Sequence, residues 1–257
     1  MKRFIYFPTK YIGHNWARLL NKDIKWNGMV LSARDKNAIT LYYSGQLSEI
    51  EEKLTKYFLK NLKPKDVLYD VGASYGFYSQ FKCEIHTFEP NPTTFSYLKQ
   101  NTSIANPIAL SNKNGLCKFY DTTKSGHSGG SSLIKKVPES FTKSFTEIEV
   151  KCMTLDRYAE NHNKPTYIKI DVEGAEDLVL EGATETLKRR PIIALEVAIN
   201  PDYGEFNPLK AARILYKAGY KSYKIDENGD LHLVEKITAQ DVENIRGRYG
   251  YDNFVFK

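Results

Sequence analysis

The stretch VLYDVGASYGFYS, Val67 to Ser79, decides the fold. An apolar run ends on Asp70, and two glycines, Gly72 and Gly76, follow it four residues apart. A short apolar run bounded by glycine reads as a buried strand, and a strand that turns through glycines into a helix is the layout of a nucleotide-binding loop. The spacing D-x-G-x-x-x-G matches neither common phosphate-binding form. Dinucleotide loops use G-x-G-x-x-G, and P-loops carry a lysine after the last glycine. A carboxylate at the strand tip would repel a pyrophosphate but suits a cationic ligand. Glycines there allow a sharp turn and close passage of the backbone.

A second acid supports the first. Glu89 ends the next apolar run, EIHTFEP, 19 residues after Asp70. A carboxylate about 20 residues on, at the tip of the neighbouring strand, can accept hydrogen bonds from both ribose hydroxyls. Pro90 and Asn91 shape the turn after it, and Pro92 opens the helix TTFSYLKQN.

Outward from this pair the chain alternates. SEIEEKLTKYFLKNLKP reads as a helix capped by Ser48, with Glu51 completing a capping box and Pro64 ending it. After the glycines, GFYSQF is a short helix. SIANPIAL is a third strand, and Pro107 within it suits an edge position. TYIKIDV and PIIALEV are further strands, with a helix between them from about Glu173 to Lys188. Near-continuous apolar strands separated by helices indicate an α/β fold, a mostly parallel sheet covered on both faces. The C-terminal part reads as a helix over Leu209–Ala218, strands YKSYKI and DLHLVE joined by an Asn228-Gly229 turn, a helix from about Ala239, and a last strand NFVF. Residues 1–47 form a β-rich N-terminal extension, with strands around Gly28–Ala33 and Ala38–Tyr43, and 48–257 form the main domain. The stretch from Asp121 to Ser132, DTTKSGHSGGSS, lies between the strands LCKFY and TEIEVKCMTL and is either disordered or a functional lid.

Composition narrows the class. The chain has 257 residues, 41% hydrophobic and 13% aromatic, which is a globular composition. The net charge of +6 includes no basic block, so a lysine-rich surface accounts for it, although attraction to phosphate-bearing partners also follows from such a charge. Cys83, Cys117 and Cys152 have no metal-ligand spacing and read as reduced thiols of a cytoplasmic protein. No signal peptide or membrane-spanning run is visible, and no His/Cys/Asp cluster argues for a metal.

The segments LYDVGASYGFYS, FEPNPTTFSYLKQN, IALSNKNG, SGHSGGSSL, VKCMTLDRY, IKIDVEGAEDLVLEGA and PIIALEV resemble, in order, the FkbM family of methyltransferases. KIDVEGAE, Lys169 to Glu176, is the most specific of them. The family commonly has Asn where Ser74 stands, and the segment between Gly76 and Glu89 is short. The resemblance implies a Rossmann-like class I methyltransferase fold, a seven-stranded sheet with a hairpin inserted at about 115–153. It also implies methyl transfer from S-adenosyl-L-methionine, usually to oxygen, with acceptors among sugar hydroxyls and other hydroxyl-bearing small molecules. The cofactor would lie along Asp70, Gly72, Ala73, Ser74 and Gly76, over Glu89, Pro90 and Asn91, with Ala109 and Ser111 flanking the adenine.

In open α/β sheets the crevice lies beyond the strand C-termini where the strand order reverses, here between the first and fourth strands. Asp171 is expected at the cofactor–acceptor junction and Glu173 as the base, with the two roles exchangeable. Glu196 could orient the acceptor, His127 on the Gly/Ser loop is the other possible base, and Lys169, two residues before Asp171, could pair with an acid. Two other readings compete: a nucleic-acid methyltransferase, which requires a basic groove leading to Asp171, and a non-catalytic scaffold, which would bind no cofactor.

Overall fold

A computed structural model describes residues 22–45, 48–142, 144–198, 209–238, 240–241, 244 and 251–257. Its first elements are a hairpin, β1 (Ile24–Trp26) and β2 (Met29–Leu31), then helices α1 (Lys36–Ser44) and α2 (Glu49–Asn61). β3 (Val67–Val71), a 3-10 turn over Phe77–Gln80, β4 (Glu84–Phe88), α3 (Pro92–Asn101), β5 (Ala105–Asn106) and β6 (Ala109–Leu110) follow. The insertion comprises β7 (Gly115–Asp121), α4 (Lys136–Phe141) and β8 (Thr146–Met153). The chain then runs through α5 (Leu155–Glu160), β9 (Tyr167–Ile170), α6 (Glu176–Glu181), α7 (Thr184–Lys188) and β10 (Ile192–Ala198). It ends with α8 (Leu209–Lys217), β11 (Ser222–Ile225), β12 (Leu231–Val234) and β13 (Tyr251–Phe256).

The main sheet has eight strands in the order β12-β11-β13-β10-β9-β3-β4-β5. β10, β9, β3, β4 and β5 run parallel, while β13, β11 and β12 pair antiparallel. The strand beyond the expected seven is β12, folded back on β11 through the Asn228-Gly229 turn, where Gly229 takes φ +81°. β3 and β9 are neighbours, so the strand order reverses between them. Pro107 splits the third strand: β5 stays on the edge of the main sheet, while β6 joins β8 and β7 in a separate three-stranded sheet.

Alternate residues of each strand face opposite sides. One side buries Tyr69, Phe88, Ile168, Ile170, Leu195 and Phe254 against α5 to α8. The other buries Leu68, Ile85, Tyr167, Ala194 and Val255 against Leu54, Tyr57 and Phe58 of α2. Period two then carries Asp70, Lys169, Glu196 and Asn253 onto this second side, at the ends that bear the crevice.

Several expectations are corrected. Ala38–Tyr43 is part of α1, not a strand: the Asp35 side chain caps the helix by accepting from the Asn37 and Ala38 N–H groups, and Gly45 closes it at φ +78°. Local capping outweighs the β-preference of Ile39, Thr40, Tyr42 and Tyr43. The helix expected over 173–188 is two helices. Asp156 of α5 caps the second, accepting from the Glu185 and Thr186 N–H groups, and Gly182 between them lies so close to the Ser111 carbonyl that a Cβ there would meet it at 2.1 Å. Ser48 caps α2 as expected, but Glu51 does not complete a capping box. Its carboxylate accepts from Tyr78 Oη and from Asn253 Nδ2 across the sheet. Cys117 and Cys152 are joined in a disulfide with Cα atoms 5.9 Å apart, so these two are not reduced thiols. The β7–β8 register sets Cys117 opposite Val150, which leaves Cys152 two residues along on the same face. Cys83 is the free cysteine among the described residues. The helix expected from Ala239 falls largely outside the described residues, as does the start of the N-terminal extension.

Candidate functional site

A cleft opens at the carboxyl ends of β3, β4 and β9. Asp70 stands at the tip of β3, 1% exposed, and neither carboxylate oxygen has a hydrogen-bond partner among the described residues. Burial, the largest influence, raises its pKa to about 6, with Lys169 opposing and Asp171 and Glu51 adding to the rise. The turn that follows is built by backbone. Gly72 and Ala73 N–H groups both donate to the Phe88 carbonyl. Gly72 has φ +83°, and a Cβ there would meet the Asp171 carbonyl oxygen at 1.7 Å, so only glycine lets the β3 turn and the β9 turn touch. Gly76 also has φ +83° but packs against Leu98 of α3 and does not line the cleft. The two glycines therefore serve packing of protein on protein as well as any ligand.

Glu89 at the tip of β4 is buried and lines the cleft. Its carboxylate accepts from the Ser74 N–H (3.0 Å) and the Asn91 N–H (2.8 Å). Burial raises its pKa to about 7 against those two bonds. Ser74 itself takes a left-handed backbone at φ +49°, which aims its N–H at Glu89. Asn91 caps α3 and spends its side-chain amide on Asp121 Oδ1 (2.7 Å), outside the cleft lining.

The β9 turn carries the remaining chemistry. Lys169 is buried on the strand, and its Nζ donates to Asp171 Oδ2 at 2.8 Å. Glu173 has a left-handed backbone, φ +53°, and Gly174 follows at φ +92°. The turn wraps round the buried Glu176 carboxylate, whose Oε1 accepts from the Val172 and Gly174 N–H groups. A non-glycine residue held in this backbone region stores strain, which is common at functional turns. Burial pushes Glu176 up to about 7. Burial, with the charges of Asp171 and Glu176, pushes Glu173 well above the usual carboxylate range. Glu196 is buried on β10 and raised in the same way, but does not line the cleft.

The Gly/Ser stretch forms the roof. It folds into 3-10 turns at Thr123–Ser125 and Ser128–Gly130, and Ser128, Gly129, Ser131 and Leu133 face the cleft. Four hydrogen bonds tie it to other segments: Ser128 N–H and Oγ to Asp35, Asn91 to Asp121, and Ser132 Oγ to the Glu173 carbonyl. His127 does not line the cleft.

The structure thus brings Asp70, Gly72, Ala73, Ser74, Glu89, Pro90, Ala109, Asp171 and Glu173 into one cleft, and leaves Gly76, Asn91, Ser111, His127 and Glu196 off its lining. Ser111 is buried, its N–H given to the Met153 carbonyl. Sequence reasoning missed Asn37, Phe77, Tyr78, Ile108 and Phe119 on the walls, and Asp35 beneath the roof. For Asp35 a signal existed: an Asp immediately before a helix is an N-cap. Lys169 is the one basic side chain among the described residues that line the cleft. No group of three or more His, Cys, Asp or Glu is placed to hold a metal ion among the described residues, and none of their helices is long and apolar enough to cross a membrane.

The chain is similar to several known methyltransferases. A curated relative, the hexuronic acid methyltransferase AglP of Haloferax volcanii, is 29% identical over 164 residues, which are 59% of this chain and 64% of that protein, so the match spans less than two thirds of the relative. Among solved structures, methyltransferase FkbM from Methylobacillus flagellatus is 16% identical, with 86% of this chain and 54% of that one aligned at a TM-score of 0.45. TYW2 of P. horikoshii, solved in complex with MeSAdo, is 12% identical, with 96% and 81% aligned at a TM-score of 0.37. The model of the Methyltransferase FkbM domain matches residues 70–222, more than half of the chain. The chain belongs to the FkbM methyltransferase domain family.

Proposed function

We propose that the protein is an S-adenosyl-L-methionine-dependent O-methyltransferase acting on a hydroxyl of a sugar, glycan or related small molecule. One observation carries the reading: a buried, unbonded Asp70 carboxylate in a cleft whose charged lining is acidic except for Lys169. Such a site is short of positive charge, and a buried carboxylate without a partner is costly. A sulfonium and an ammonium supply what is missing. Asp70 would hold the cationic end of the donor, Glu89 the ribose hydroxyls, and Ala109 the adenine side. The second oxygen contact expected of Glu89 is compatible with its present bonds, because each carboxylate oxygen can accept more than once.

The bound donor supplies a methyl carbon already activated by its sulfonium. The chain's own part is to place the acceptor oxygen in line and take its proton. Asp171, at the end of β9, is the group for that. Glu173 is less suited, because burial and the neighbouring charges of Asp171 and Glu176 raise its pKa and disfavour its ionised form. The relative that acts on hexuronic acid supports a sugar acceptor. A nucleic-acid substrate is less well supported, since the described lining offers no basic groove.

Calorimetry tests the reading. The protein should bind S-adenosylmethionine more tightly than S-adenosylhomocysteine, which keeps the ammonium but lacks the sulfonium charge, and Asp70→Asn should remove most of that preference, about tenfold. Absence of binding to either compound would sink it.

A further inference from the structure

We infer that Lys169 is a positioning residue for methyl transfer, acting by pinning Asp171 and not by holding the donor. The inference rests on the function proposed above, and the geometry around β9 carries it.

Lysine is a costly choice in the strand Tyr167–Ile170, whose four residues are all buried. The register places Lys169 directly across from Asp70 of β3. A lysine present only to neutralise a buried acid would bond that nearest neighbour. It does not. Nζ donates to Asp171 Oδ2 at 2.8 Å, and both Asp70 oxygens stay unpartnered. The face of the Tyr78 ring, its centroid 5.3 Å from Nζ, also supports the ammonium. Among the described residues Asp171 is the one hydrogen-bond acceptor of Nζ, although an ammonium carries three donors. Burial works against the charged ammonium, but Asp171, Glu51 and Asp70 outweigh it and raise its pKa, so the charge persists at any pH of interest.

The consequence is a division of labour between two aspartates. Asp70 is left open for a cationic ligand. Asp171, whose side chain is 24% exposed, has one oxygen locked and the other directed by that lock. A carboxylate held by one oxygen presents the other in a fixed direction, which is what an in-line acceptor requires, since a misplacement of about 1 Å can cost a hundredfold in rate. Removing the lysine should free Asp171 and make the cleft more negative. It should therefore not weaken the binding of a cation.

The experiment uses the full chain, wild type and Lys169→Met, with calorimetry of S-adenosylmethionine and S-adenosylhomocysteine and crystal structures of both proteins with S-adenosylhomocysteine bound. The expected results are that the ratio of the two affinities rises roughly threefold or more in favour of the cationic donor, and that Asp171 leaves its wild-type position in the variant. Lys169→Arg, which keeps the charge, should hold the ratio near wild type. Loss of donor affinity by about tenfold or more would make Lys169 a donor contact and overturn the inference. Equal weakening of both ligands with Asp171 unmoved would make it a purely structural cation and overturn it as well. If the methionine variant does not fold, Lys169→Gln carries the same two readouts. Failure of the wild type to bind either compound is a different pattern, and it removes the proposed function itself.

Discussion

The glycine loop over Asp70–Gly76 and the Gly/Ser roof over Asp121–Ser132 border the same cleft and are held in opposite ways. The first is held by contacts near in sequence. Gly72 and Ala73 donate to the Phe88 carbonyl, and Ser74 donates to Glu89, 15 residues away. The second has bonds of its own, among them Thr122 N–H to Ser131 Oγ, and is tied to the rest of the molecule by side chains paired with remote segments: Ser128 to Asp35 across 93 residues, Ser132 to Glu173 across 41, and Asn91 to Asp121 across 30. Glycines in the two places mean different things. At Gly72 a Cβ would strike a backbone carbonyl and φ is positive. At Gly129 it would meet Asn37 Nδ2 at 2.2 Å, the movable end of a side chain, and φ is not positive. One glycine is demanded by the backbone. The other makes room for a neighbour that can step aside.

The largest test of this contrast is Gly72→Ala. Strain and collision together should cost at least about 2 kcal/mol in denaturant unfolding. A midpoint at the wild-type value would show that the β3 and β9 turns can part at no cost. Next comes Asp35→Ala, which removes a helix cap and two bonds to Ser128, for a local loss of about 2–3 kcal/mol. Hydrogen exchange should quicken over 122–131 and stay slow over 68–71. Uniform quickening would mean that the roof and the sheet unfold together.

The acids give a pH test of intermediate size. Burial pushes Asp70 up to about 6 and Glu89 up to about 7 in the folded protein, against about 4 in an unfolded chain. The folded state therefore binds protons the unfolded state has released. The stability this contributes is complete below about pH 4 and is lost as pH rises through 6 and 7. The melting temperature of the free protein should fall between pH 5 and 8, and the gain on adding S-adenosylmethionine should grow over the same interval, because a cation favours the ionised acids. A donor-induced gain that shrinks with pH would contradict the acidic cleft. The smallest effect belongs to Gly129→Ala. It should cost under about 1 kcal/mol, since Asn37 can rotate away, and a loss equal to that of Gly72→Ala would erase the distinction between the two loops.

Most of the sheet was legible in the chain. Apolar strands bounded by glycine and proline carry their own signal, so β3, β4, β9 and β10 were expected where they lie. The N-terminal segment was misread because β-branched and aromatic residues outvoted a cap: Asp35 makes Lys36–Ser44 helical. The broken helix after β9 was misread for a related reason. Asp156 caps α7 from another helix, and nothing local to 173–188 announces it.

The candidate site divides along the same line. Asp70, Glu89, Asp171 and Glu173 could be found because each stands where a strand ends, and strand ends are visible in apolar pattern and turn chemistry. The sequence by itself determined that acids gather at the tips of neighbouring parallel strands. Tertiary structure alone decided which acid is bonded and which is free: Lys169 takes Asp171 and leaves Asp70, Glu51 goes to Tyr78 and Asn253, and Asp35 reaches the roof. The reason is physical. Period and turn residues are local properties of a chain, whereas the partner of a buried charge is settled by competition among all the groups that folding brings within about 3 Å of it.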